Sequence, residues 1–107
     1  VGVQQARAQL QTQLDAALAD FDLLALPTVP VVAPTIESLD DADTFHRTNM
    51  LVLRNPSVFN FYDLPAVSLP LPRAAGELPV GLMLVGKRHG DRELLSVAAA
   101  VQAHLAR

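Results

Sequence analysis

The stretch LPAVSLPLPRAAGELPVGLMLVG, Leu64 to Gly86, holds two apolar runs, each introduced by Leu-Pro, around a short polar link. "AVSLP" and "VGLMLVG" read as strands. Along the second, Val80, Leu82 and Leu84 face one way, and Met83 and Val85 the other. Both faces are apolar, the pattern of a strand covered on its two sides rather than one with a wet face. The link carries Pro72 and Gly76, which suits a hairpin or a loose loop. Such strands need two covering layers, and the rest of the chain has to supply them.

Working outward, Leu10, Leu14, Ala17, Leu18 and Phe21 recur at i, i+4, i+7, i+8 and i+11, one apolar stripe of a helix expected over Gln4 to about Asp20. "DLLALP" follows; its short apolar run stopped by Pro27 predicts a buried strand at Leu23–Leu26. The stretch from Pro27 to Asp43 carries three prolines and then acidic residues. Each proline removes a backbone donor and fixes φ, so an extended loop is expected, long enough to be functional or mobile. Thr44 is placed to cap a helix running towards Leu53, and Pro56 to open a second short helical turn. Asp91 is placed to cap a last helix carrying Leu94, Ala98, Val101 and Leu105 on one stripe. Three strands against two long helices and one or two short ones leave an edge or a face open.

The chain has 107 residues, which fits one unit spanning 1–107. Half of the residues are apolar, so it is not a disordered tail. A net charge of -3 without a basic run argues against nucleic acid or an anionic membrane as partner. There is no cysteine, which removes disulfides, thiolate nucleophiles and cysteine zinc sites and fits a cytoplasmic location. No apolar run approaches the ~18 residues of a spanning helix. Val-Gly opens the sequence without a signal-peptide pattern, as expected of a fragment, a processed product or a trimmed piece.

Several blocks occur together in a recognisable order: Asp22-Leu23-Leu24-Ala25-Leu26-Pro27-Thr28, Arg54-Asn55, Phe59-Asn60, Leu64-Pro65-Ala66-Val67-Ser68-Leu69-Pro70, Leu78 through Gly86, and Asp91 with Leu94-Leu95. In these the chain resembles the C-terminal segment of amidase-signature enzymes. The resemblance implies an α/β fold, part of a mixed sheet flanked by helices, with about three strands and three to four helices in this stretch. It departs from the family pattern at Asp63, Pro72 and Glu77, where glycine is usual or common, and at Met83, where glutamine is frequent. The parent enzyme it implies hydrolyses carboxylic amides through a Ser–Ser–Lys arrangement. A lysine-activated bridging serine deprotonates the nucleophilic serine, and loop N–H groups hold the oxyanion. No Gly-Gly-Ser-Ser stretch is present in these residues, so no catalytic residue is assigned and no cofactor is expected.

The remaining reactive residues have plain structural readings. Ser68 lies in an apolar strand without a glycine elbow, as a strand serine bonded to backbone or a helix. Lys87, the only lysine, reads as a solvated strand end, and a Ser68–Lys87 dyad ranks far below that reading. Ser38, Ser57 and Ser96 are treated as structural. His46, His89 and His104 are too scattered for a metal, and none is expected. Asp40, Asp41 and Asp43 read as a solvated loop whose charge suits a helix start. Asn55 and Asn60 read first as amides that satisfy loop backbone groups, and Thr28 likewise as structural; beyond that role, Thr28, Asn55 and Asn60 are the substrate-pocket candidates. The expected partners are the rest of an amidase polypeptide or a second copy, with a small-molecule amide as the parent's substrate. The alternative function is a non-catalytic binding or assembly module of the same ancestry.

Overall fold

The computed structural model describes residues 2–106. Three strands, β1 (Leu24–Pro27), β2 (Ala66–Pro70) and β3 (Gly81–Val85), form one sheet in the order β1-β3-β2, and both pairings are antiparallel. The Leu64–Gly86 stretch is thus a hairpin, with Leu71 N–H donating to the Val80 carbonyl as its arms diverge. Its link turns at Ala74–Glu77, where Gly76 takes φ 86° and the Glu77 N–H donates to the Ala74 carbonyl. Positive φ at the third turn residue is what favours glycine there.

The alternation of β3 separates two clusters. Met83 and Val85 pack with Phe59 and Leu64, joined by Leu14, Leu18, Leu24, Leu26 and Tyr62. Leu84 packs with Leu69, Leu94 and Ala98, joined by Leu23, Val67, Leu82 and Val101. The first layer comes from α1 (Gly2–Ala17) and α2 (Ala42–Tyr62), the second from α3 (Asp91–Leu105). The central strand is therefore covered on both sides, as its pattern predicts.

Its flanks are not. Ala66, Ser68 and Pro70, which share the face of Met83, are exposed, so the first helical layer stops short of β2. Leu14 and Leu18 of the α1 stripe are packed, whereas Leu10 and Phe21 of the same stripe remain exposed. Along α2, Phe45, Met50, Leu53 and Val58 are exposed too. The molecule is a slab of 43 × 42 × 17 Å with a radius of gyration of 16.5 Å; a compact chain of this length has about 13 Å. Its accessible surface of 7754 Å² exceeds by roughly 2,000 Å² what a compact monomer of this mass shows.

Helix boundaries correct several local expectations. α1 begins at Gly2 and ends at Ala17, earlier than the stripe suggests. α2 runs unbroken through Pro56, where the sequence predicts a helix towards Leu53 and a separate short helical turn from Pro56. A proline costs one intrahelical bond and a steric clash. Phe59, packed into the core beyond it, and the well-capped first turn hold the helix across that defect. The proline-rich loop contains one 3₁₀ turn, Glu37–Leu39. The last helix has Gly90 at its N-cap and Asp91 one residue inside, where its charge still favours the positive helix end.

The cap of α2 is Asp41, not Thr44. Its carboxylate accepts from the Thr44 N–H at 2.9 Å and the Thr44 hydroxyl at 2.8 Å. The Thr44 backbone bond, then its hydroxyl bond, lower the Asp41 pKa below the ordinary carboxylate value. A pKa depressed by folding stabilises the folded chain wherever the unfolded carboxylate is ionised, and that contribution disappears as pH falls through the depressed value. Amide exchange in the first turn of α2 should therefore accelerate as pH drops from about 5 to about 2 once intrinsic rates are divided out. Asp41→Asn, whose amide oxygen caps without titrating, should flatten that dependence.

At its other end α2 is held by two arginines. Arg7 pairs with Asp63 at 2.7 Å, donates to the Phe61 carbonyl and lies 5.6 Å from the Phe61 ring centroid. Arg88 pairs with Asp15 at 3.1 Å and donates to the Tyr62 carbonyl at 2.8 Å. The hydrogen bond to Asp15 raises the Arg88 pKa further. Two cations on the last carbonyls complement the helix dipole. Asp63 itself has φ 56° and ψ 41°, the left-handed geometry that favours glycine. Aspartate tolerates that region better than most residues, and here its side chain is used by Arg7 and Gln11.

Candidate functional site

β1 ends in Pro27, and the first residue of the proline-rich loop is Thr28. The Thr28 N–H donates to the Gly81 carbonyl at 3.0 Å, adding one more rung beyond the strand. Its hydroxyl lies 2.5 Å from that of Ser68, in a hydrogen bond that either oxygen can donate. The sequence predicts backbone or a helix as the partner of Ser68; the partner is instead a hydroxyl from the loop just past the end of β1. Asn55, projecting from α2, donates its amide to the Pro27 carbonyl at 2.8 Å and accepts from Arg54 at 3.3 Å. Thr28 and Asn55 are thus brought together around Pro27.

Beyond Thr28 the loop lies against α2 and the approach to β3. Val29, Pro30 and Val31 from the loop, Val52 from α2 and Pro79 and Val80 line a cleft of about 530 Å³. All of its lining residues are apolar. It suits the apolar portion of a small molecule and offers no charge to a charged one.

Asn60 does not join this group. It is exposed on α2 and lines a separate depression with Asp63, His89 and Asp91. Lys87 is exposed and donates to the Ala19 carbonyl at 3.2 Å. Ser68 pairs in register with Met83, inside β3, while Lys87 lies past the strand's end, and each side chain is bonded elsewhere. The two do not form a dyad. Among the described residues no cluster of three metal-ligating side chains occurs, and no helix is long and apolar enough to cross a membrane.

Gly81 is the member of the site that sequence reasoning passed over. A Cβ there would lie 2.6 Å from Ser68 Oγ, 2.8 Å from Thr28 Oγ1 and 3.3 Å from Thr28 Cβ. The Thr28–Ser68 bond crosses the space a side chain would fill. The available signal was a glycine at the start of an otherwise bulky strand, which marks close approach of neighbouring groups.

The Amidase family model matches residues 2–95. A glutamyl-tRNA(Gln) amidotransferase component of Halobacterium salinarum is 41% identical over 100 residues, covering 92% of this chain and 22% of that protein. The 2-amino-5-chloromuconic acid deaminase of Comamonas testosteroni is 31% identical over 84 residues, covering 78% of this chain and 18% of that protein. The crystal structure of an amidase matches with a TM-score of 0.71 at 30% identity, covering 92% of this chain and 23% of that one. The chain therefore spans about a fifth of the length of the relatives it matches. A family match over most of these residues, together with a fold that recurs across nearly the whole chain in a solved amidase, establishes that the chain belongs to the Amidase family.

Proposed function

We propose that these residues are the C-terminal part of a hydrolase that cleaves carboxylic amide C–N bonds, where they complete the sheet, wall the substrate pocket and supply no group to the chemistry. The observation that carries this reading is the incomplete packing. An excess of roughly 2,000 Å² of accessible surface is more than twice what one partner buries in an ordinary stable interface, about 800 Å². The uncovered face of β2, the outer part of the α1 stripe and the apolar positions of α2 are where the rest of the polypeptide would sit. The matched relatives are named as an amidotransferase, a deaminase and an amidase, and carbon–nitrogen bond chemistry is what those names share.

On this reading the Ser–Ser–Lys machinery lies upstream, in a glycine- and serine-rich loop and a preceding lysine. Thr28 and Asn55 back the apolar cleft, and Asn60 stands at a second edge of the pocket wall. The partner is the remaining amidase polypeptide, the substrate a small-molecule amide, and the location the cytoplasm.

The purified 107-residue chain should show no turnover of simple amides and should elute from size exclusion larger than a monomer. Turnover that survives stringent purification would overturn the assignment of the chemistry to upstream residues. A well-behaved monomer that binds no apolar dye would remove the argument for a missing covering layer.

A further inference from the structure

β1 and β2 are not neighbours; each pairs only with β3. Thr28 and Ser68 nevertheless bond each other across the central strand, because Gly81 leaves the gap open. Three separate contacts meet at the exit of β1: Thr28 N–H to the Gly81 carbonyl, Thr28 hydroxyl to Ser68, and Asn55 amide to the Pro27 carbonyl. After that point there is no regular structure until the turn at Glu37. The intervening segment carries Pro30 and Pro34, whose rings fix φ and make it stiffer than an ordinary loop. An orientation imposed at Thr28 is therefore transmitted along the segment that lines the apolar cleft.

We propose that Thr28 and Ser68 are positioning residues: their hydrogen bond over Gly81 sets the direction in which the 29–34 segment leaves the sheet, and through it the width of the cleft that receives the apolar part of an amide substrate. The inference rests on the reading that this cleft walls the substrate pocket. Neither hydroxyl touches the reacting atoms. The pair has no base within its hydrogen-bond network, since Lys87 is bonded to the Ala19 carbonyl. Its effect is on binding: a loosened segment samples positions in which the cleft does not fit the substrate. Such a change raises KM and leaves kcat alone.

The test uses Thr28→Val and Ser68→Ala in the full-length protein, with two readouts. Steady-state hydrolysis of an aryl amide should show KM raised about fivefold, the factor expected for one net hydrogen bond, with kcat unchanged. Hydrogen exchange at the Thr28 amide, which heads the segment and is bonded to the Gly81 carbonyl, should accelerate by about the same factor, while exchange in β3 stays as it was. Thr28→Ser and Ser68→Thr, which keep a hydroxyl in place, should restore both. Equal acceleration throughout the sheet would make the pair a general stabiliser and overturn the proposal. Faster exchange at the Thr28 amide with KM unmoved would also overturn it, while leaving the amide-hydrolase reading intact. Absence of amide turnover by the unsubstituted full-length protein would instead defeat the hydrolase reading and the inference with it.

Discussion

Leu84→Ala should destabilise this chain by about 3 kcal/mol, within the range of roughly 2–5 kcal/mol for truncating a buried leucine. Leu84 is 2% exposed at the middle of the central strand. It packs with Leu69, Leu94 and Ala98, so it joins the hairpin to α3. Buried apolar residues are few among the described residues: Phe59, Leu64, Leu69, Met83, Leu84, Val85, Leu94 and Ala98. They are split between two faces of the sheet, and neither cluster can compensate for a cavity in the other. Single domains have a total stability of only about 5–15 kcal/mol, and a slab this open sits at the low end. The substitution is therefore expected to leave much of the isolated chain unfolded at about 37 °C, read as loss of the helical circular-dichroism signal and a lowered urea midpoint. Leu84→Met should cost less than about 1.5 kcal/mol, because it preserves volume. Leu95→Ala, next to the buried Leu94 on α3 but 61% exposed, should move the midpoint little. A Leu84→Ala chain as stable as the parent would mean that the α3 layer does not hold the sheet.

How much of this was legible beforehand follows from the range over which each signal acts. The two-faced alternation of Val80–Val85 is local and strong, and the structure places Leu82 and Leu84 against one layer and Met83 and Val85 against the other. The α3 stripe of Leu94, Ala98 and Val101 is equally local. Pro56 misled because a proline's cost is local, whereas what keeps α2 continuous is the packing of Phe59 at one end and the Asp41 cap at the other. Thr44 and Asp91 were each placed at the cap when they lie inside the helix; a run such as Asp40-Asp41-Ala42-Asp43-Thr44 offers several capping side chains, and only the backbone decides among them. The Thr28–Ser68 bond joins residues forty positions apart. It depends on the strand order β1-β3-β2, which no short-range pattern encodes. Asn60 shows the converse: the same residue type as Asn55, on the same helix, lines a depression away from Pro27, since five positions along a helix change the face.

Gly81→Ala should be the most damaging single-methyl change in the sheet, because it adds an atom where three side-chain atoms already stand. The added Cβ would sit 2.6 Å from Ser68 Oγ and 2.8 Å from Thr28 Oγ1, well inside van der Waals contact. Ser68 can rotate away, since its exposed hydroxyl is the end of a short side chain, but that breaks the Thr28 bond. Thr28 has less freedom: its Cβ would be 3.3 Å from the new methyl, its N–H is committed to the Gly81 carbonyl, and branching restricts its χ1. Relief therefore requires either loss of the hydroxyl pair or a shift of the β1–β3 ladder. Overpacking of this kind costs about 1–3 kcal/mol, or a fall in melting temperature of about 4–8 °C per kcal/mol for a domain of this size. A double-mutant cycle separates the two routes. With Ser68→Ala the nearest obstacle is gone, so Gly81→Ala in that background should cost at least about 1 kcal/mol less than in the parent; coupling of this size is ordinary for residues in contact. Ser68→Ala alone should cost less than Gly81→Ala, because it removes one exposed hydrogen bond and adds no clash. Additive penalties would mean that the methyl is accommodated by backbone movement and that Ser68 does not stand over Gly81 in solution.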